Sequence, residues 1–124
     1  MIACLAGCNN PENKITKKQI DYIRAIPGES DTIPLTISQK GEVLIAYSDC
    51  YTCHKEHKKS IGPAFRDIAK RYPIQPAYIN MLAQKIISGG TGSWGTAWMS
   101  PHPQVSSRDA KIMASYILSL KKNK

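Results

Sequence analysis

Long apolar runs are missing from these 124 residues, and nothing approaches the roughly 20 consecutive residues that a membrane-spanning helix needs. Strict alternation of apolar and polar residues is also absent, which argues against a sheet-based architecture. There is no internal repeat and no low-complexity tract. Aromatic residues make up only 7% of the chain and charged residues 21%, the balance of an ordinary globular domain rather than a disordered segment. Acid is scarce: 9 Asp+Glu stand against 17 Lys+Arg, a formal charge of +8. The excess base is spread in pairs such as Lys17-Lys18, Lys58-Lys59, Lys70-Arg71 and Lys121-Lys122. No aromatic-interleaved basic strand is present, so nucleic acid is not the expected partner. An acidic protein partner fits the charge, as do plain solvated helix faces with a basic tail.

Cysteine is sparse as well, with four in all, and two of them fall in the pentapeptide Cys50-Tyr51-Thr52-Cys53-His54. This is the pattern by which two thiols attach a haem covalently and the adjoining histidine ligates its iron. Two intervening residues let both sulfurs reach the vinyl positions on one porphyrin edge while His54 is thrown beneath the ring. The same cysteines could instead form a redox dithiol or half of a zinc site. A dithiol site would want a preceding strand, and a zinc site a second close pair at ribbon-like spacing. The remaining cysteines, Cys4 and Cys8, stand at the extreme N-terminus. A tethered haem would also explain how one domain of this length builds an adequate core, because short helices can pack around the disc.

Leu5-Ala6-Gly7-Cys8 looks like a bacterial lipobox, in which the cysteine is lipidated and becomes the mature N-terminus. The apolar stretch before it is too short for a signal peptide and lacks a basic region, so residues 1–8 read as a truncated signal segment. A chance match and a Cys4–Cys8 disulfide are the alternatives. Residues 9–37 carry Asn9-Asn10-Pro11, Pro27-Gly28 and Pro34 and read as a leader or tether, with a short helix over 16–25 capped by Thr16.

The domain proper is expected over 38–124. Ser38 is a candidate N-cap for a first helix with Val43, Leu44 and Tyr47 on one face, running up to Cys50. Pro63 would open a second helix that Pro73 closes. Pro76 would open a third, with Ile79, Leu82, Ala83, Ile86 and Ile87 at helical spacing and Gly89-Gly90 ending it. A last helix from about Ser107 would bury Ile112, Met113, Tyr116, Ile117 and Leu120 and end in Lys121-Lys122, favourable at the negative end of its dipole. The fold class is all-α.

An iron held by His54 has a second axial position. Met99 heads the candidates because it lies in a helix-poor run, 89–106, able to wrap the far face of a porphyrin. Met81 and Met113 fall on or near apolar helix faces, where core packing is the simpler reading. His57 is too close to His54 to cross to the opposite face, which leaves His102 as the competitor. A thioether favours Fe(II) more than imidazole does, so His/Met ligation would raise the reduction potential.

Cys50 to His54, Ile61-Gly62-Pro63-Ala64-Phe65, Leu82-Ala83-Gln84-Lys85-Ile86, Trp94-Gly95 and Met99-Ser100-Pro101 together resemble the small bacterial class I cytochromes c, in collinear order over roughly 38–121. The resemblance implies three to five short helices around one covalently bound haem c, with the first and last helices crossing, Gly41 against Tyr116. It implies thioethers at Cys50 and Cys53, His54 as proximal and Met99 as distal ligand, and a Pro63 carbonyl accepting from the His54 ring. Trp94 matches a position that contacts a haem propionate, with packing over the ring edge as the alternative. Lys85 stands where the family often has an arginine, and its ammonium cannot supply a bidentate fork. The function implied is one-electron transfer between redox proteins of a respiratory or dehydrogenase chain, without enzymatic chemistry, in a periplasmic monomer anchored only if Cys8 is acylated. A haem enzyme or gas-binding sensor with a labile sixth ligand is the alternative. A third reading makes the chain the electron-accepting module of a larger assembly.

Overall fold

The computed structural model describes residues 32–121, so the lipobox, Cys4, Cys8 and the expected helix over 16–25 lie outside the described residues. Four α-helices carry the fold: α1 (Leu35–Ala46), α2 (Phe65–Arg71), α3 (Pro76–Ser88) and α4 (Ser107–Ser119). A single 3₁₀ turn, Cys50–Thr52, follows α1, and a small antiparallel hairpin, β1 (Gly90–Gly92) and β2 (Gly95–Met99), lies between α3 and α4. Its register pairs Gly90 with Met99 and Gly92 with Gly95, with an irregularity between.

The core is organised on α4, which packs against α1, α2 and α3. Ser106 caps it by accepting a hydrogen bond from the Asp109 N–H, as its residue type favours. Ile112, Met113, Ile117 and Leu118 are buried along it, each contributing about 1.5–3 kcal/mol from burial. They meet Ile45, Phe65, Ile68, Tyr72, Tyr78 and Ile86 in one cluster. The crossing of α1 and α4 depends on Gly41: a Cβ there would stand 2.5 Å from Ile112 O and 2.6 Å from Tyr116 Cβ. The expected pairing of Gly41 with Tyr116 is therefore present, and any side chain at 41 would push the two helices apart.

Several boundaries differ from expectation. Helix α1 starts at Leu35, with Pro34 at its N-cap position and the Pro34 carbonyl accepting from Ile37 N and Ser38 N. Ser38 is consequently inside the helix, its hydroxyl donating back to Leu35 O at 3.0 Å. The helix ends at Ala46 and the chain tightens into the 3₁₀ turn at Cys50. Its inner face is Gly41, Leu44 and Ile45, whereas Val43 and Tyr47 point outward, Tyr47 being 90% exposed. The crossing decides this, because the face able to approach α4 is the one that carries Gly41. Pro63 does not open α2, which begins at Phe65 after an extended Ala64. Its carbonyl is used by His54 instead. At the end of α4, Arg66 Nη1 donates to Leu120 O at 3.2 Å. A cation from α2 thus serves the helix end for which Lys121-Lys122 had been expected; Lys122 lies outside the described residues.

The hairpin adds a strand pair to an otherwise helical fold. Four of the five β2 residues are exposed, so the burial that would impose an alternating pattern is missing, and alternation could not announce the strand. No helix of the described residues is long and apolar enough to cross a membrane.

Candidate functional site

Between the attachment segment, α3 and the hairpin lies a cleft of about 740 Å³, within the size range of small-molecule and cofactor sites. Cys50, Cys53 and His54 of the attachment segment line it, together with Lys85 of α3 and with Trp94 and Met99 of the hairpin. The fold thus brings to one cleft six residues from four separate stretches of sequence.

Local backbone bonds set the attachment segment. The 3₁₀ turn places Cys53 N and His54 N on the Cys50 carbonyl at 3.2 and 2.9 Å, so both cysteines and the histidine leave one tight turn together. Both cysteines are free thiols and half-buried. Burial, then the Asp49 carboxylate, pushes the Cys50 thiol up to about 11. A redox dithiol needs an accessible thiolate near neutral pH, and Cys50 has the opposite character. Among the described residues no group of three or more His, Cys, Asp or Glu side chains is disposed to hold a metal ion.

His54 is buried, and its Nδ1–H donates to Pro63 O at 2.8 Å. This bond fixes the ring and leaves Nε2 as the nitrogen available for coordination. Phe65 stacks on the imidazole with centroids 5.1 Å apart and planes 19° apart, and Tyr51 meets Phe65 edge-on at 5.8 Å. Gly62 leaves the room required: a Cβ there would fall 2.6 Å from His54 Cε1 and 2.9 Å from Nδ1.

Met99, which also lines the cleft, ends β2, half-buried and packed against the core cluster. Met113 is fully inside, as expected, but Met81 is not: it is exposed at 36% and lines the cleft. Its position on α3 puts it outside the Tyr78–Ala83–Ile86 stripe that faces α4. His102 is buried with Nδ1 on Ile86 O at 3.2 Å and Nε2 on Asp49 Oδ1 at 2.5 Å. Both ring nitrogens are engaged, which disfavours His102 as a ligand. His57 is exposed beside Glu56, at 3.4 Å.

Arg71, read from the sequence only as half of a basic pair, turns out to belong to the site. Its guanidinium lies over the Trp94 ring at 4.6 Å and donates to Ser93 O at 2.7 Å, so α2 holds the hairpin turn and sets the indole at the cleft rim. Lys85 Nζ comes within 3.4 Å of where a Gly90 Cβ would be, which puts its ammonium beside β1.

The residues present fit a covalently held porphyrin. Two thiols leave one turn, a fixed imidazole offers one nitrogen, a glycine keeps space beside it, and Met99 brings a thioether to the same cleft.

The cytochrome c family profile matches residues 38–121. This chain belongs to the cytochrome c family. It is similar to cytochrome c-552 of Nitrosomonas europaea, 42% identical over 78 residues that cover 63% of this chain and 76% of that protein. Cytochrome c-552 of Hydrogenobacter thermophilus is 39% identical over 85 residues, 68% of this chain and 86% of that one. The crystal structure of wild-type Nitrosomonas europaea cytochrome c552 superposes with a TM-score of 0.60 at 40% identity, covering 64% of this chain and 99% of the other. The fold is the all-α class I cytochrome c fold with its small hairpin, and the family carries one covalently attached haem c with its iron. Its members are electron carriers, not enzymes.

Proposed function

We propose that this cytochrome carries single electrons with His54 and Met99 as the two axial ligands of its haem, thioether-linked through Cys50 and Cys53. The observation that supports this most is that His54, whose ring is fixed through Nδ1 so that Nε2 is left for coordination, and Met99 line one and the same cleft with both cysteines. When bound, the haem supplies a one-electron Fe(III)/Fe(II) couple, and a thioether on a buried iron shifts that couple toward the reduced form. The chain's own residues hold the ligands and shape the surroundings. Pro63 O orients His54 and strengthens it as a donor. Phe65, stacked on the same ring, excludes water from that side. Trp94, held by Arg71, and Lys85 would hold the haem propionates, Lys85 as a point charge in place of a bidentate fork. With His54 and Met99 as ligands, the protein itself would occupy both axial positions and leave none for a substrate.

The partners are redox proteins with acidic docking faces. Lys55, Lys58, Lys59 and Lys70 are exposed, and Lys59 also lines the cleft. Such docking weakens as salt rises, because exposed charges are screened beyond about 10 Å at 0.1 M ionic strength. The working domain begins with α1, the residues before it are a tether, and Cys8 is a lipid anchor at a periplasmic membrane face, with the domain acting as a monomer.

Potentiometric titration of the haem-loaded protein tests the carrier reading against the haem-enzyme alternative. We expect one reversible one-electron wave and no consumption of added hydrogen peroxide. Sustained peroxide turnover would favour the enzyme reading and overturn ours.

A further inference from the structure

The segment that follows Met99 is fastened at its far end to two distant parts of the chain. The His102 backbone N–H is shared between Ile86 O at 3.2 Å and Ile87 O at 3.0 Å. Its Nδ1 faces Ile86 O at 3.2 Å and its Nε2 faces Asp49 Oδ1 at 2.5 Å. Ile86 and Ile87 belong to the last turn of α3, where carbonyls have no partner inside the helix and where a donor is favoured by the dipole. Asp49 directly precedes Cys50. Each ring nitrogen thus has an oxygen partner, one on α3 and one on the attachment segment. Gly89 closes the other end of the same segment. It sits at φ 63°, and a Cβ there would collide with Met99 O and stand 2.7 Å from Pro101 N. The backbone from Met99 to His102 is thus pressed against the end of α3 and tied by one side chain to the attachment segment.

We propose that His102 is a positioning residue for the distal ligand: with Asp49 it straps the Met99 segment to the haem-attachment segment, so that Met99 leaves the iron only when this pair opens. The inference rests on the His54/Met99 reading. The sequence separation of the pair is 53 residues, which makes the strap a closure between two walls of the cleft rather than a local turn. Its two ends differ in worth. The Asp49 side chain is 71% exposed and that of His102 only 11%. The ion pair alone is therefore weak, as exposed pairs are. The buried imidazole adds its bond to the Ile86 carbonyl and fills the space beneath the loop.

Imidazole added to the ferric holoprotein reads the strap, because it binds iron only when Met99 is off, and its apparent affinity scales with the open fraction. Asp49→Ala is expected to raise imidazole affinity about threefold, the scale of an exposed ion pair. His102→Ala is expected to raise it about tenfold, since hydrogen bonds to charged groups are lost as well. The double variant should match His102→Ala alone, and Asp49→Asn, which keeps an acceptor oxygen, should recover part of the Asp49→Ala loss. Without added imidazole, the long-wavelength sulfur-to-iron band should persist in every variant. Native affinity in both single variants, or effects that simply add, would overturn the strap while that band leaves Met99 ligation standing. Absence of the band from the native protein would overturn both. Should His102→Ala fail to hold haem, Asp49→Ala and Asp49→Asn, altered at the surface, still decide the matter.

Discussion

On the Cys50–Arg71 side of the cleft the groups nearest the iron site come from one short stretch of chain. On the Gly89–His102 side each group is held by a residue far away in sequence. Cys50, Cys53 and His54 leave a single turn, and Pro63 and Phe65 return a few residues later to fix the imidazole. Met99, Trp94 and His102 sit on or beside a two-stranded hairpin that buries little of its own surface. They are steadied by Arg71 through Ser93 and Trp94, by the end of α3, and by Asp49. A proximal wall that is locally determined is hard to move without losing the cofactor. A distal wall assembled from remote contacts can loosen while the fold survives, as expected where few buried contacts hold a segment.

The strongest test of this contrast removes the proximal anchors. His54→Ala is expected to abolish the native low-spin spectrum. Cys50→Ala or Cys53→Ala should leave a haem partly extractable by acid acetone, and full retention would mean that the tether lies elsewhere. Next comes the distal wall. Met99→Ala should retain its haem and helical circular dichroism while becoming high-spin, with a potential lowered by an appreciable part of the ~0.8 V range that axial ligands span. His102→Ala, by contrast, should leave the resting spectrum nearly unchanged.

Two glycines sharpen the comparison at smaller amplitude. Gly41→Ala and Gly62→Ala both force a methyl into occupied space, and overpacking of this kind costs about 1–3 kcal/mol. Thermal unfolding should register both. Only Gly62→Ala should also shift the reduction potential, because it presses on the His54 ring. The smallest effect concerns Tyr116, whose phenol burial, then the charge of Tyr51, pushes above its ordinary value of 10.0. A folded-state value above the unfolded one stabilises the protein at lower pH, and that contribution is lost as pH rises from about 10 upward. Tyr116→Phe should therefore flatten the alkaline fall in thermal stability, and an unchanged profile would exclude Tyr116 from it.

Legibility in the sequence follows the same division. The attachment pentapeptide, the Gly62-Pro63 pair, the start of α3 at Pro76, its end at Ser88 before Gly89, and the start of α4 at Ser107 are local signals and were readable. Met99 was singled out because helix signals were absent around it, and Gly41 against Tyr116 through resemblance to a family. Arg71 and Asp49 were invisible, since their partners, Trp94 and His102, are brought near only by the fold. Val43 and Tyr47 were misassigned because helical spacing alone fits either face of α1, and the glycine crossing with α4 selects between them. The hairpin left no alternating pattern because neither of its faces is fully covered.

The central claim, that His54 and Met99 together close the iron to outside ligands, is tested most directly by the optical and near-infrared spectrum of the haem-loaded protein, oxidised and reduced, with carbon monoxide added to the reduced form. We predict a low-spin pattern, a weak long-wavelength sulfur-to-iron band that Met99→Ala removes, and no response to carbon monoxide. A high-spin spectrum that shifts readily with carbon monoxide, or a sulfur band that survives in Met99→Ala, would contradict the account.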